Sequence, residues 1–290
     1  MAEKTGIAWT DHTFNPWWGC TKVSPGCKNC YAERESGRFE ADHKSPWWGE
    51  SAPRRFFGDK HWDEPLKWNK KAEKAGIRAR VFCGSMCDIF EDRPDLLLVT
   101  ERIRLWKLIE NTPWLDWLLL TKRPMEPVWA LPANWWCEYP ESQWPKNVRL
   151  GVTAENQELF DKRVRYIRGI PNFVSIEPML GPIDMSKNIS AIDWVIVGGE
   201  SGPGARPIHP EWVREIRDQC VANNVPFFFK SWGEWLPAGI AVGIPGYEYQ
   251  GIELLHIFPD STATARVGVR KAGATLDDVI WQQFPKYNKE

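Results

Sequence analysis

The stretch Trp194-Val195-Ile196-Val197-Gly198-Gly199-Glu200-Ser201 runs four apolar residues into a Gly-Gly turn and a carboxylate. A run this short, β-branched and apolar on both faces reads as a strand covered on each side. Five similar runs lie around it: Val81-Phe82-Cys83, Trp117–Leu120, Val148–Val152, Phe173–Ile176 and Phe227–Phe229. Helix-like segments alternate with them. From Asp95 to Glu110, after Pro94, the residues Leu96, Val99, Ile103, Trp106 and Ile109 fall near helical spacing. Residues 156–169 and 209–223 give two more helices, started by Asn156 and by His209-Pro210 and followed by Pro171 and Pro226. Alternating strands and helices predict a parallel sheet with right-handed crossovers. With Gly6–Thr10 as a first strand, the chain reads as an α/β fold: a full or partial (β/α) TIM-like barrel, with a doubly wound open sheet as the competing arrangement.

Either arrangement gathers chemistry at the C-terminal ends of the strands. Those ends are polar here: Ser85 and Asp88, then Thr121-Lys122-Arg123, Thr153 with Glu155 and Asn156, Glu177, Glu200, and Lys230-Ser231. Glu177 and Glu200 suit an amine or a ribose hydroxyl as partner. The competing reading pairs them with Arg206, Lys230 or Arg123 across the same edge. Gly198-Gly199 would let a ligand approach the backbone closely.

Organisation along the chain follows from the same pattern. Residues 1–235 form the barrel, with a cysteine loop at 20–30, a Trp/Arg-rich insertion at 41–80 and an irregular Trp/Pro-rich stretch at 124–147. Residues 236–290 are Gly-rich and β-prone and form a small C-terminal appendage. At 290 residues a single large domain can bury about three quarters of its unfolded surface. The net charge of -1 argues against strong overall attraction to nucleic acid, while leaving local basic patches open. No apolar run reaches membrane-spanning length and the N-terminus carries no signal-peptide core, so a soluble cytoplasmic protein without membrane contact is expected. Nineteen tryptophans are present, several paired beside Gly or Pro, and core packing accounts for most of them.

Cys20, Cys27 and Cys30 stand in the run GCTKVSPGCKNCYAE, a C-x6-C-x2-C spacing with a turn-prone Ser24-Pro25-Gly26 between the first two. Three thiolates are one fewer than a closed zinc or iron–sulfur site usually takes. Without a fourth protein ligand, one position stays open for chemistry. The alternative is a zinc knuckle closed by His43, His61 or Cys87, and spacing alone leaves the two readings level. Alternation places Cys83 and Cys87 on one side of the second strand, where a role at the site and burial as a small hydrophobe both fit; Cys87, near the strand end, is the one expected to matter, and Cys137 and Cys220 read as structural. In Ser45–Trp62, Arg54, Arg55 and Lys60 alternate with Trp47, Trp48, Phe56 and Phe57. That mixture suits phosphate and base contact, and a packed insertion with a solvated rim explains it equally well.

GCTKVSPGCKNCYAE, CGSMCDIFED, WLLLTKRP, VRLGVTAEN, SIEPMLGPI, VIVGGESGPGARP and the closing VRKAGATLDDVIWQQFP together resemble a phage- and prophage-associated three-cysteine family of unknown function, the DUF5131 type. That family in turn resembles divergent radical S-adenosylmethionine enzymes of the spore-photoproduct-lyase-like branch. The resemblance implies a [4Fe-4S] cluster on Cys20, Cys27 and Cys30, with Tyr31 flanking the last ligand. It places Ser85, Asp88 and Glu91 at the edge that contacts the methionyl amino group. Thr121 and Lys122 match the strand-three motif, and Thr153, Glu155 and Asn156 lie where ribose contacts occur. Two departures stand out: the usual cysteine spacing is C-x3-C-x2-C, and the Gly-Gly-Glu of the second strand stands instead at 198–200. The implied activity is reductive cleavage of S-adenosylmethionine, with an electron donor as partner and a nucleic acid or nucleotide as substrate. If phage-encoded, the protein would work in the host cytoplasm. A non-catalytic, metal-stabilised nucleic-acid-binding or phage–host interaction protein is the second reading. An iron–sulfur enzyme that does not use S-adenosylmethionine is the third.

Overall fold

A computed structural model of the chain describes residues 3, 5–38, 46–125, 130–135, 143–243 and 255–286. The strands are β1 (His12–Phe14), β2 (Trp17–Trp18), β3 (Arg55–Phe56), β4 (Ala79–Cys83), β5 (Leu115–Thr121), β6 (Val148–Thr153), β7 (Asn172–Ile176), β8 (Val195–Gly198) and β9 (Phe227–Ser231), followed by the short β10 (Trp235–Pro237), β11 (Leu255–Ile257), β12 (Ala263–Arg266), β13 (Thr275–Leu276) and β14 (Val279–Ile280). The main helices are α1 (Tyr31–Gly37), α2 (Asp59–Trp62), α3 (Glu64–Ala75), α4 (Leu96–Glu110), α5 (Gln157–Val164) and α6 (Pro210–Ala222).

Seven strands make one sheet in the order β1-β4-β5-β6-β7-β8-β9. The pairs β1/β4, β4/β5, β5/β6, β7/β8 and β8/β9 are parallel. Strand order follows chain order without reversal. A doubly wound sheet must reverse at its switch point, so the order is that of a (β/α) barrel. The order of these seven strands is consistent with a partial barrel. The strands are apolar and buried on both faces, as in Val195–Gly198 and Asn172–Ile176, where every residue is buried. That is why their sequences run apolar instead of alternating.

The chain separates into two compact units. The first comprises residues 1–23, 32–152 and 169–172, and the second 24–31, 153–168 and 173–290. In the first unit, the opening strand is His12–Phe14 and not Gly6–Thr10. The earlier residues turn, with Thr10 N–H donating to Ile7 O, and the Thr10 hydroxyl accepts from Phe82 N–H beside β4. The segment read as an insertion at 41–80 holds the crossover helix α3, which buries Trp68, Asn69 and Ala72 and ends on Gly76 at φ 63°. Residues 41–45 of that segment, with His43, lie outside the described residues, as do Cys137 and Trp136. Helix α4 is capped by Asp95, whose side chain accepts from Leu97 N–H at 3.0 Å.

In the second unit, α5 and α6 begin where the sequence placed them. Asn156 Oδ1 accepts from Leu159 N–H at 3.0 Å, and His209 Nδ1 accepts from Glu211 N–H at 3.1 Å. The C-terminal region builds a three-stranded sheet, β10-β12-β11, and the β13-β14 hairpin. Its last described segment then returns to β9. Gln282 bridges Phe228 antiparallel, Phe229 N–H donates to Trp281 O at 2.8 Å, and Gln283 N–H donates to Phe227 O at 3.1 Å. Among the described residues no helix is long and apolar enough to cross a membrane.

Candidate functional site

In the first unit the tip of β4 is organised by a residue the sequence reading did not single out. Asn15, fully buried just past β1, donates from Nδ2 to Ser85 Oγ at 2.9 Å and accepts Met86 N–H at 2.7 Å. Its amide needs partners in a buried position, and the 84–87 turn supplies them. No motif marks Asn15, and the three-residue β1 before it gives no signal of its own.

Asp88 is buried and saturated. Its Oδ1 accepts from the Thr121 hydroxyl at 2.8 Å and Phe90 N–H at 3.1 Å, and its Oδ2 from Lys122 N–H at 3.1 Å and Arg123 Nη1 at 3.0 Å. Four donors leave the carboxylate no free lone-pair direction for a methionyl amine, so Asp88 and Thr121 join β4 to β5. Arg123 extends this hub to the first cysteine: Nη1 lies 3.6 Å from Cys20 Sγ and Nη2 donates to Thr21 O at 2.5 Å. Burial pushes the Cys20 thiol up to about 12, with the Asp88 charge adding to the shift and Arg123 opposing it. Glu91 belongs to a different pair. Arg54 Nε and Nη2 grip its two oxygens at 2.8 and 2.7 Å, and the same guanidinium donates to Trp47 O, Ala52 O, Gly49 O and Thr21 Oγ1.

The basic-aromatic run folds onto itself. The Arg55 guanidinium sits 5.0 Å from the ring centroids of both Trp18 and Trp47, while Arg54 is consumed by Glu91. These are contacts of a packed insertion for Arg54, Arg55 and Trp47. His61, one candidate fourth zinc ligand, places Nε2 2.7 Å from Asn15 O; Cys87, another, is buried beside Asn15 Oδ1.

The second unit carries Cys27 and Cys30 on the loop Ser24–Tyr31, which turns through a 3-10 helix at Pro25–Cys27. Two buried carboxylates at strand ends hold this loop. Glu155, past β6, accepts the Ser24 hydroxyl on Oε1 and Arg163 Nη1 on Oε2 at 2.7 Å. Glu200, past β8, accepts Asn29 Nδ2 at 3.0 Å and is gripped by Arg206 through Nε at 2.9 Å and Nη2 at 2.6 Å. Arg206 Nη2 also donates to Pro25 O at 3.0 Å. Burial opposes ionisation of Glu200, but Arg206 and Asn29 outweigh it and hold its carboxyl below the usual range. Gly26 is required by contact: a Cβ there would lie 2.4 Å from Glu155 Oε1. The two carboxylates matched to ribose or amine contacts thus clamp the loop that bears the cysteines. Ser24, Asn29 and Arg163 complete the clamp; of these the sequence marked only Ser24, as part of the Ser24-Pro25-Gly26 turn.

The remaining residues have local partners too. Glu177 pairs with Lys230, whose Nζ is 2.7 Å from Oε1, and accepts from the Ser175 hydroxyl at 3.2 Å. Asn156 caps α5, and Thr153 is buried with its carbonyl accepting from Arg163. Gly199 makes room for protein, not ligand: a Cβ there would lie 2.0 Å from the Trp232 carbonyl oxygen.

Cys20 lies in the first unit, and Cys27 and Cys30 in the second. All three are free thiols of intermediate exposure. Among the described residues no three His, Cys, Asp or Glu side chains stand together as a set that could hold a metal ion. Ser24 Oγ lies 3.6 Å from Cys27 Sγ. Cys220 and Cys83 are sealed in the core, where burial drives the first up to about 12 and the second further. Iodoacetamide at mildly alkaline pH should therefore label Cys27 and Cys30 in the native protein before Cys83, Cys87 or Cys220, as peptide mass mapping over time would show.

Strand order and loop placement define a partial (β/α)-barrel chain with a clamped Cys-x2-Cys loop. By sequence the chain belongs to the family described as "Protein of unknown function (DUF5131)", whose model matches residues 4–285. No curated protein and no solved structure matches it significantly.

Proposed function

We propose that the chain is an iron–sulfur protein of the radical S-adenosylmethionine type, with Cys20, Cys27 and Cys30 as the thiolates that would hold a [4Fe-4S] cluster. The observation that carries the reading is the clamp on the Ser24–Cys30 loop. Two buried, ion-paired carboxylates from strand ends fix a Cys-x2-Cys turn whose thiols remain reduced and partly exposed. A turn held this firmly costs little further ordering when a metal binds, which is how a protein prepares ligands. The reading rests on the clamped loop and on the cysteine pattern. A cluster of this kind supplies one-electron chemistry at an iron lacking a protein ligand. The chain's own part is to hold the turn, through Glu155 and Glu200, and to place Arg123 beside Cys20.

Anaerobic reconstitution with iron and sulfide tests this. The expected result is about four irons and four sulfides per chain, as a [4Fe-4S] cluster requires. Cys27→Ala should abolish incorporation and Cys220→Ala should leave it intact. An electron paramagnetic resonance change on adding S-adenosylmethionine would support the radical assignment. A cluster indifferent to it would leave an iron–sulfur protein of another kind. One zinc and no sulfide, or equal loss in both variants, would discard the proposal.

A further inference from the structure

Helix α4 has apolar residues on two sides, and only one of them meets the core. Leu98, Leu105, Trp106, Leu108 and Ile109 are buried. The stripe marked by the sequence, Leu96, Val99 and Ile103, faces solvent instead, with 79 %, 41 % and 50 % exposure, and Leu97 beside it is 57 % exposed. Trp106 and Ile109, read on the same face, belong to the inner side. At 100° per residue, Leu96, Val99, Thr100, Ile103 and Lys107 form one narrow seam spaced i, i+3, i+4, i+7 and i+11. Its neighbour α3 turns Lys67, Lys70, Lys71 and Lys74 outward, which is the ordinary composition of a solvated helix face. A helix apolar on both sides expects burial on both.

We propose that α4 is the contact between two copies of this chain, packed antiparallel about a twofold axis near Thr100 and Ile103. The charges at the two ends of the seam make it complementary to itself. Asp92 and Asp95 lie at the N-terminal end, and exposed Lys107, which makes no ion pair among the described residues, lies at the C-terminal end. Glu110, the one acidic residue near that end, accepts from Trp135 Nε1 at 3.1 Å. Antiparallel packing sets Asp92 and Asp95 of one copy beside Lys107 of the other, twice over, as twofold symmetry requires. It also opposes the two helix dipoles, whereas parallel packing would align them and juxtapose like charges.

Sedimentation velocity of the full chain across micromolar concentrations tests the proposal. A concentration-dependent doubling of mass is expected. Ile103→Glu and, separately, Leu96→Glu should each give a monomer whose circular dichroism and melting temperature at low concentration match the wild type. Lys107→Glu should weaken association and reverse its salt dependence, because it sets like charges opposite one another at both ends of the seam, and adding Asp92→Lys should restore it. A wild type monomeric throughout overturns the proposal. It is also overturned by dimers indifferent to both apolar substitutions, or by a charge swap that fails to rescue. A monomer that instead floats with anionic vesicles would assign the face to a lipid surface and equally reject self-association.

Discussion

Arg54→Ala should lower the unfolding free energy by about 3–5 kcal/mol, the usual loss when one partner of a buried ion pair is removed. Both side chains are out of solvent, and the guanidinium engages Glu91 through two parallel bonds. Removing it strands the Glu91 carboxylate in the interior. It also leaves Trp47 O and Ala52 O, both satisfied by Nη1, without that donor. Lysine cannot rescue: an ammonium group presents no planar fork, so Arg54→Lys should recover only a minor part. Arg104→Ala is the control, because its partner Asp59 is largely exposed and such pairs contribute roughly 0–1 kcal/mol. Urea unfolding followed by fluorescence measures all three. Equal losses for Arg54→Ala and Arg104→Ala would mean the Arg54 network does not carry the first unit.

Glu155→Ala should cost a comparable amount, about 3–5 kcal/mol, because it leaves Arg163 buried and unpaired. It should also free the Cys-x2-Cys turn. Gly26 separates these two effects. Gly26→Ala on its own drives a methyl group into the Glu155 carboxylate. In the Glu155→Ala background that obstacle is gone, so the second substitution should add far less than it costs alone. A coupling of about 1–3 kcal/mol is expected for residues in such contact. Strict additivity in denaturation measurements would show that Glu155 does not seat the loop. Iron incorporation in Glu155→Gln gives the functional counterpart, since that variant keeps side-chain volume while removing the charge that Arg163 faces.

Much of the architecture was readable because the strands are covered on both faces. Val195, Ile196 and Val197 have no polar side to present, and such a run has few other interpretations. Asn156 and His209 announced helix starts through side chains able to accept from the first turn. The first strand was misplaced because His12–Phe14 is three residues long, too short for a periodic signal, while Ile7, Ala8 and Trp9 just before it form the more apolar run. Helix α4 misled for a physical reason as well: with apolar residues on two sides, spacing could not choose which side is inner. At the strand ends the residue types were legible but their employment was not. Glu155, Glu200 and Asp88 stand where chemistry gathers, and a carboxylate there looks the same whether it awaits a ligand or already grips an arginine. The partners, Arg163, Arg206 and Arg123, lie six to thirty-five positions away. No local pattern reveals a pairing made through the fold.

Trp281 to Gln283 lie along β9 in the opposite direction and occupy backbone groups that a further parallel neighbour would need. Growth of the sheet stops there by saturation. An eighth strand has no rail to attach to, and neither does a stray chain seeking an unpaired border. Shortening the protein before Trp281 would uncover that rail and leave β9 prone to pair edge to edge with another copy.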